Sequence, residues 1–168
     1  HLVLTGRRGA KAPGAVELAS ELSALGVRVT LAACDAADRD ALEKVIAAIP
    51  ADLPLTAVVH AAGTGQNGPI PAITPGEVTA VLAGKVAGAR HLDELTRDRD
   101  LDAFVLFSSI SGVWGSGEQA VYGAANAFLD ALAEERRGRG LPATAIAWGP
   151  WAESGMAADD DAVRMLRG

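Results

Sequence analysis

Short apolar stretches alternate with segments of helical spacing along most of the chain, and this alternation restricts the fold more than any other feature. Strands separated by helices of this length are typical of βαβ units, whose strands run parallel. The predicted strands are near-continuous apolar runs, as in sheets covered on both faces. We therefore predict an α/β fold with a doubly wound parallel sheet. Its strands are expected at residues 1–5, 27–34, 55–60, 103–108 and 143–148.

Helices are predicted between these strands, and one of them has a well-marked start. Thr74 can cap this helix, Pro75 suits its first position, and Glu77 completes a capping box. The helix is expected to run past Lys85 to about Leu95. The other helices are expected at residues 15–25, where Gly26 is the stop signal, at 41–49 and at 122–137.

Composition indicates a single soluble domain of 168 residues, of which 49% are hydrophobic and 21% charged. The net charge of −6 argues against nucleic acid or an anionic membrane as a partner. The one cysteine, Cys34, excludes an intrachain disulfide, and we interpret it as a small core residue. No apolar run approaches the ~20 residues of a membrane span, and no secretory signal is recognisable, so we expect a cytoplasmic protein.

Small, polar or charged residues follow all five predicted strands. In a doubly wound sheet, ligands bind beyond the carboxyl ends of the strands. Because core packing alone does not require such residues at every strand end, we predict a ligand site at this edge of the sheet. The residues concerned are Gly6, Arg7, Arg8, Asp35, residues 61–63, Ser108, Ser109, Gly149 and Pro150.

Tyr122 is the candidate centre of the chemistry. It lies four residues before Asn126 on a predicted helix, so the two share a face, and thirteen residues after Ser109. A phenol that acts as an acid near neutral pH needs its phenolate stabilised, because phenols titrate near ~10, and a nearby cation does this. Lys85 is the natural candidate for that cation. Ser109 can hold a substrate oxygen; two neighbouring serines compete with it, and the spacing to Tyr122 favours Ser109.

The ordered set of motifs resembles the ketoreductase domain of modular polyketide synthases, within the short-chain dehydrogenase/reductase superfamily. The resemblance covers nearly the whole chain and implies a Rossmann-like fold, with residues 1–168 as the catalytic subdomain of the ketoreductase. The tyrosine spacing alone is a weak signal, whereas the whole set is highly specific. The matching segments are LVLTGRRG (2–9), CDAAD (34–38), VVHAAG (58–63), GKVAGARHLDEL (84–95), VLFSSISGVWGSGEQAVYGAANAFLDALA (105–133) and AWGPWAESGMA (147–157).

The resemblance implies a catalytic set that differs from that of most short-chain dehydrogenases. Those enzymes carry a lysine four residues after the tyrosine, where this chain has Asn126. Lys85 instead stands where polyketide ketoreductases carry their lysine. Tyr122 would protonate the ketone oxygen, and Ser109 would hydrogen-bond it. Lys85 would stabilise the phenolate and support proton resupply, and Asn126 would order the relay.

The resemblance also implies NADPH as the hydride donor. Arg7 and Arg8 follow the first strand of this chain, where a guanidinium suits the 2′-phosphate that NADH lacks. The family's first strand and glycine-rich phosphate loop are expected before His1, so we expect this chain alone to bind NADPH weakly. The other expected contacts are Asp35 near the adenine (unless it only caps the next segment), Ala61, Ala62 and Gly63 along the cofactor, and Gly149 and Pro150 near the nicotinamide.

Three positions indicate the stereochemistry that the resemblance implies. One type of ketoreductase carries Leu-Asp-Asp where residues 65–67 of this chain are Gly-Gln-Asn. The other type carries a tryptophan eight residues before the tyrosine, and Trp114 is in that place. Gln119 stands where a histidine accompanies reduction of an epimerised substrate. An A-type, A1-like reductase giving an L-configured alcohol is therefore implied. Trp151 and Met156 are assigned to the same substrate region.

The favoured hypothesis is reduction of a β-ketoacyl thioester, held on the phosphopantetheine arm of an acyl carrier protein, to a β-hydroxyacyl thioester. Neighbouring polyketide synthase domains, including the structural subdomain of the ketoreductase, are the other expected partners; no nucleic acid, membrane or metal is expected. Two alternatives stay open. A stand-alone short-chain reductase of a free ketone is disfavoured by Asn126. A non-reducing structural or docking domain is disfavoured by the four intact catalytic candidates, Lys85, Ser109, Tyr122 and Asn126. The missing glycine-rich loop keeps this alternative open for the present chain.

Overall fold

The computed structural model describes residues 1–151, and within them five strands form two sheets. All the strand pairings are parallel, which confirms the predicted α/β class and the parallel arrangement. One sheet pairs β1 with β2, and the other has β4 between β3 and β5. The strands are β1 (Leu2–Gly6), β2 (Val29–Ala33), β3 (Ala57–His60), β4 (Ala103–Ser109) and β5 (Thr144–Trp148).

The helices lie close to the predicted positions. The Thr74 hydroxyl accepts the Glu77 amide N–H at 3.3 Å, and the Thr74 N–H donates to Glu77 Oε2 at 2.8 Å, which confirms the capping box. Gly26 follows the first helix with φ +82°, a conformation that glycine adopts readily. The helices are α1 (Ala15–Ala24), α2 (Arg39–Ala47), α3 (Pro75–Leu82), α4 (Gly88–Thr96), the unpredicted short α5 (Ser111–Trp114) and α6 (Ala120–Gly138).

Helices, rather than strand pairing, connect the two sheets within residues 1–151. α2 packs against α4, and Arg39 Nε lies 3.8 Å from Glu94 Oε2 across this contact. The ring of His91 in α4 hydrogen-bonds the Ala36 carbonyl oxygen at 3.1 Å. Buried Cys34 packs near these helices with Leu42 and Ile46, which confirms that Cys34 is a core residue.

The three-stranded sheet is covered on one face within the described part of the chain. Along β3, Val58 and His60 are buried, whereas Val59 between them is 62% exposed. Along β4, buried and half-buried residues alternate in the same way. The buried row packs against α6, where Leu129 is fully buried. Cover on both faces, expected from the apolar runs, is therefore found on only one face in residues 1–151, because α4 and α6 pack on the same side.

A π-helical turn over Ala83–Ala87 joins α3 to α4 without a break in the helix. The predicted helix therefore has the expected extent, although its middle is not regular α-helix. A π turn places one more residue in a turn than an α-helix does, and such turns are frequent at functional sites. Lys85 is the central residue of this turn and is 4% exposed.

A buried ion pair joins α4 to α6. Arg136 is fully buried, donates to the Asp93 carboxylate, and has its guanidinium carbon 3.8 Å from the centroid of the Phe104 ring. Arg139 also donates to Asp93, at 2.9 Å. Burial raises the pKa of Asp93, but hydrogen bonds from the two arginines outweigh burial and hold that pKa below its usual value. The pair fixes the spacing between α4, which follows Lys85, and α6, which contains Tyr122.

Among residues 1–151, no helix combines the length and the apolar character needed to cross a bilayer.

Candidate active site

The candidate residues converge near the carboxyl ends of β3 and β4. Lys85 comes from the π turn, Ser109 is the last residue of β4, and Tyr122 and Asn126 lie one turn apart near the start of α6. Because α6 packs against both β4 and the π turn, these residues are brought together from distant parts of the chain. The four residues predicted from spacing and resemblance therefore occupy one region.

Lys85 is a buried cation that is directed into this region. Its ammonium donates to the Phe107 carbonyl oxygen at 2.9 Å. Burial lowers the pKa of Lys85 to about 8, and the Asp130 carboxylate offsets only part of that shift. Burial disfavours the charged amine because the ammonium loses hydration. Lys85 is therefore cationic at neutral pH and loses its charge just above it.

Two neighbours hold the Lys85 side chain and backbone in place. The His60 ring Nε2 donates to the Lys85 carbonyl oxygen at 3.3 Å. Burial lowers the pKa of His60 below its usual value, so the ring is neutral at this contact. A Cβ added at Gly63 would come within 2.9 Å of Lys85 Cε. The absence of a side chain at Gly63 therefore allows the Lys85 side chain to pack directly against the loop backbone. His60 and Gly63 thus have positioning roles.

Tyr122 lies beside the lysine. The Lys85 ammonium is 5.3 Å from the centroid of the Tyr122 ring, within the range of a cation–π contact. Tyr122 is 9% exposed, so its phenol is largely shielded from bulk water. A buried ammonium and a shielded phenol thus lie side by side. This pair can therefore hold and release a proton.

Asn126 contributes a buried amide next to Tyr122. It is fully buried, and its side-chain NH₂ donates to the Tyr122 carbonyl oxygen at 2.8 Å. Its Oδ1 has no hydrogen-bond partner among the described residues. Buried polar atoms are normally paired, directly or through water, so Oδ1 has spare acceptor capacity at the site. A Cβ added at Gly112 of α5 would lie 3.1 Å from Asn126 Cβ, so α5 packs closely behind it.

The three serines of this region have different surroundings. Ser108 is buried, and its hydroxyl donates to the Asn126 carbonyl oxygen at 3.2 Å. Ser109 is half-buried, and its Oγ accepts the Ser111 N–H at 3.3 Å. The Ser109 hydroxyl proton is therefore available to a ligand. Ser111 Oγ is buried and has no partner among residues 1–151. These contacts give Ser108 a structural role and leave Ser109 accessible.

The residues expected to contact the cofactor lie at strand ends and are exposed. Arg7 and Arg8 follow β1, and Gly149 and Pro150 follow β5. Ala61, Ala62 and Gly63, just after β3, are also exposed. The two arginines provide positive charge for a phosphate, and the small residues after β3 and β5 leave room for a ring. This donor set fits a phosphorylated dinucleotide.

Asp35 has a local structural partner. Its Oδ1 accepts the Ala37 N–H at 3.0 Å and so stabilises the turn between β2 and α2. The alternative of a simple cap is therefore compatible with the structure, and the proposed contact with adenine would use the rest of this exposed carboxylate.

Three of the residues assigned to stereocontrol are described by the structure: Trp114, Gln119 and Trp151. Trp114 ends α5 and is 82% exposed, and Gln119 immediately precedes α6. Trp151 is 44% exposed and packs edge-on against Trp148, with ring centroids 5.3 Å apart. Met156 lies outside the described residues. Trp114 and Trp151 thus offer exposed aromatic surface, as a cleft wall requires.

Two contacts of this site were not foreseen from the sequence. The Phe107 carbonyl oxygen binds the Lys85 ammonium, and a backbone acceptor has no signal in a sequence. Gln66 is 4% exposed and bridges to residues just before Tyr122. From the sequence, Gln66 is notable only because residues 65–67 depart from the Leu-Asp-Asp motif. A polar residue between a glycine and an asparagine in a loop gives no sign of burial.

Comparison with known families gives a single consistent result. The model of the KR domain family matches residues 1–153. The chain is 54% identical to a pikromycin polyketide synthase component of Streptomyces venezuelae, over 100% of this chain and 11% of that protein. It is 56% identical to the erythronolide synthase EryA3 of Saccharopolyspora erythraea, over 95% of this chain and 5% of that protein. The chain thus spans about a tenth or less of these relatives.

Solved structures agree with this result. A structure of an A1-type ketoreductase superposes with a TM-score of 0.96 at 58% identity, covering 99% of this chain and 36% of that one. The first ketoreductase of the tylosin synthase superposes with a TM-score of 0.90 at 51% identity, covering 99% of this chain and 36% of that one. A short-chain dehydrogenase from Mycobacterium avium reaches a TM-score of 0.75 at 25% identity, covering 92% of this chain and 60% of that one.

Proposed function

The chain belongs to the KR domain family of modular polyketide synthases, and on that premise we propose that it reduces a β-ketoacyl thioester to a β-hydroxyacyl thioester with NADPH. The observation that carries the proposal is the buried Lys85 ammonium, 5.3 Å from the centroid of the Tyr122 ring. Ketone reduction needs a proton for the developing alkoxide, and this pair supplies one in a shielded site.

Tyr122 is the proton donor in this proposal. Its hydroxyl gives a proton to the ketone oxygen, and Lys85 stabilises the phenolate that remains. Ser109 hydrogen-bonds the same oxygen as negative charge develops, with the hydroxyl proton that its contact to Ser111 does not use. Asn126 orders the resupply of protons through a water molecule at its unpaired Oδ1. Each residue acts at the ketone oxygen or on the tyrosine.

NADPH would be held at the strand ends already described. When bound, it supplies a hydride from nicotinamide C4 to the ketone carbon. Arg7 and Arg8 would bind its 2′-phosphate, because guanidinium groups pair well with phosphate oxygens. Asp35 would lie near the adenine. The small residues would allow close approach along the rest of the cofactor: Ala61, Ala62, Gly63, Gly149 and Pro150.

The substrate is proposed to arrive on an acyl carrier protein, with neighbouring synthase domains completing the module. Trp114 and Gln119 support an A-type, A1-like outcome, which is an L-configured alcohol with the α-substituent unchanged. A relative described as an A1-type ketoreductase is 58% identical to this chain, which favours the same stereochemical class here. Trp151 and Met156 are assigned to the same substrate region.

Reduction is expected to weaken as pH rises through about 8, the value to which burial lowers the pKa of Lys85. The ammonium is present below this pH and is lost above it, so phenolate stabilisation disappears on the alkaline side. The measurement is kcat of the intact protein that carries this chain, for a β-ketoacyl thioester at saturating NADPH, from pH 6 to 10.

Lys85→Gln is the control for this profile. It should be slower at neutral pH and should lack the alkaline inflection, because no titrating cation remains. A wild-type kcat that does not fall between pH 7 and pH 10 would contradict the role of Lys85. An absence of NADPH oxidation at every pH would contradict the proposed function itself.

A further inference from the structure

Gln66 lies in the loop after β3 and is buried although it is polar. It is 4% exposed, and all of its side-chain hydrogen-bonding atoms are used. The amide nitrogen donates to the Gly68 carbonyl oxygen at 3.2 Å and to the Glu118 carbonyl oxygen at 3.1 Å. The amide oxygen accepts the Val121 N–H at 3.3 Å. A buried, fully satisfied amide of this kind fixes the segments that it connects.

One of these bonds caps the helix that carries Tyr122. Val121 is the second residue of α6, and its N–H is among those that have no partner within the helix. Gln119, at the usual capping position, makes no capping bond with its side chain. Gln66 therefore supplies the cap from a segment more than fifty residues away, directly before Tyr122.

A bond from Gln66 and one from Gly68 hold a strained residue, Glu118, just before α6. Glu118 has φ +59°, a left-handed conformation that costs free energy for a residue with a Cβ. Its carbonyl oxygen accepts both Gln66 Nε2 and the Gly68 N–H, the latter at 2.8 Å. Such a conformation persists only where surrounding contacts determine it. These two bonds come from the loop that also contains Gly63, which packs on Lys85.

We propose that Gln66 is a positioning residue for the reduction, which fixes Tyr122 and the Gln119 segment relative to the loop after β3 and so controls turnover and product configuration. The inference rests on the proposed function. Gln66 touches neither the substrate nor the cofactor. It acts through the N-terminus of α6, where a small shift of the proton donor alters the orientation in which the ketone is held.

The central variant is Gln66→Leu, which removes all three side-chain hydrogen bonds while filling most of the space. In the intact protein that carries this chain, kcat should fall by about tenfold or more, since small displacements of catalytic groups cost this much. The product should change from one dominant β-hydroxy configuration to a mixture. The Kd of NADPH should stay within about twofold. A purely structural role would lower the active fraction without changing the product ratio.

Gln66→Glu gives a test that does not depend on the folding of the leucine variant. Its carboxylate keeps the acceptor for Val121 but faces the Gly68 and Glu118 carbonyl oxygens with negative charge. Protonation of the introduced carboxylate restores one hydrogen-bond donor. The ratio of variant to wild-type kcat should therefore rise as pH falls. Ile70→Ala, an exposed residue of the same loop, is the matched control and should behave as the wild type.

Amide hydrogen exchange provides a readout that needs no activity. Exchange at residues 120–123 should be faster in Gln66→Leu than in the wild type or in Ile70→Ala, because the cap is lost. Unchanged exchange would overturn the inference, whatever the outcome for activity. Wild-type kcat and a single product configuration in both Gln66 variants would overturn it as well. A wild-type protein that does not reduce the thioester would instead overturn the proposed function. The hydrogen-exchange result would still test the capping role of Gln66.

Discussion

Replacing Tyr122 with phenylalanine is expected to lower kcat for reduction by about 10²–10⁴-fold, the usual contribution of a positioned acid. The change removes one hydroxyl and keeps the ring that lies 5.3 Å from the Lys85 ammonium. Because Tyr122 is 9% exposed and phenylalanine has nearly the same shape, the fold should be retained. NADPH binding should also be kept, since the arginines assigned to the 2′-phosphate follow β1, on another element. The measurements are single-turnover reduction, thermal unfolding and NADPH affinity.

Thr79→Val is the matched control for loss of a hydroxyl. The Thr79 hydroxyl lies on the exposed surface of α3 and donates to the Pro75 carbonyl oxygen at 2.9 Å, away from the site. The kcat of Thr79→Val should remain near that of the wild type. Turnover of Tyr122→Phe within a few-fold of the wild type would remove Tyr122 from the role of proton donor.

Neutralising Arg7 and Arg8 together, as Arg7→Gln with Arg8→Gln, is expected to weaken NADPH binding by about 10–100-fold. This corresponds to the usual ~1.5–3 kcal/mol of a hydrogen bond to a charged group. NADH affinity should change by less than about twofold, because NADH lacks the 2′-phosphate. Both arginines are exposed at the carboxyl end of β1, so their loss should not disturb the core.

Arg28→Gln is the control for this double variant. Arg28 is exposed and precedes β2, so it lies at the opposite end of the same two-stranded sheet. Removing its charge should leave the affinities for both nucleotides unchanged. Equal losses of NADPH and NADH affinity in the double variant would mean that the arginines do not bind the 2′-phosphate.

Much of the fold follows from local signals in the sequence. The capping box of Thr74 and Glu77 and the stop at Gly26 depend only on neighbouring residues, so spacing predicts them well. The apolar runs likewise place the strands to within a few residues. The separation into two sheets and the cover on one face depend on which elements meet in space. A strand's own residues do not encode that information.

The candidate site likewise combines features that follow from local sequence with features that depend on the tertiary structure. Tyr122 and Asn126 share a helix, so their relation follows from a spacing of four residues. The family resemblance singles out Lys85, but the π turn that carries it and the Phe107 carbonyl that binds it are tertiary features. Gln66 was missed for the same reason. Its burial depends on Glu118 and Val121, which lie more than fifty residues away.

Transfer of a labelled hydride shows whether the β-carbon of the product receives its hydrogen from NADPH. The intact protein that carries this chain would be given a β-ketoacyl thioester and NADPH with deuterium at both nicotinamide C4 positions. The expected product is a β-hydroxyacyl thioester with one deuterium at the β-carbon and with the L configuration by chiral chromatography. A D-configured product would contradict the assignment made from Trp114 and Gln119. An alcohol without deuterium, or no alcohol at all, would contradict NADPH-dependent reduction by this chain.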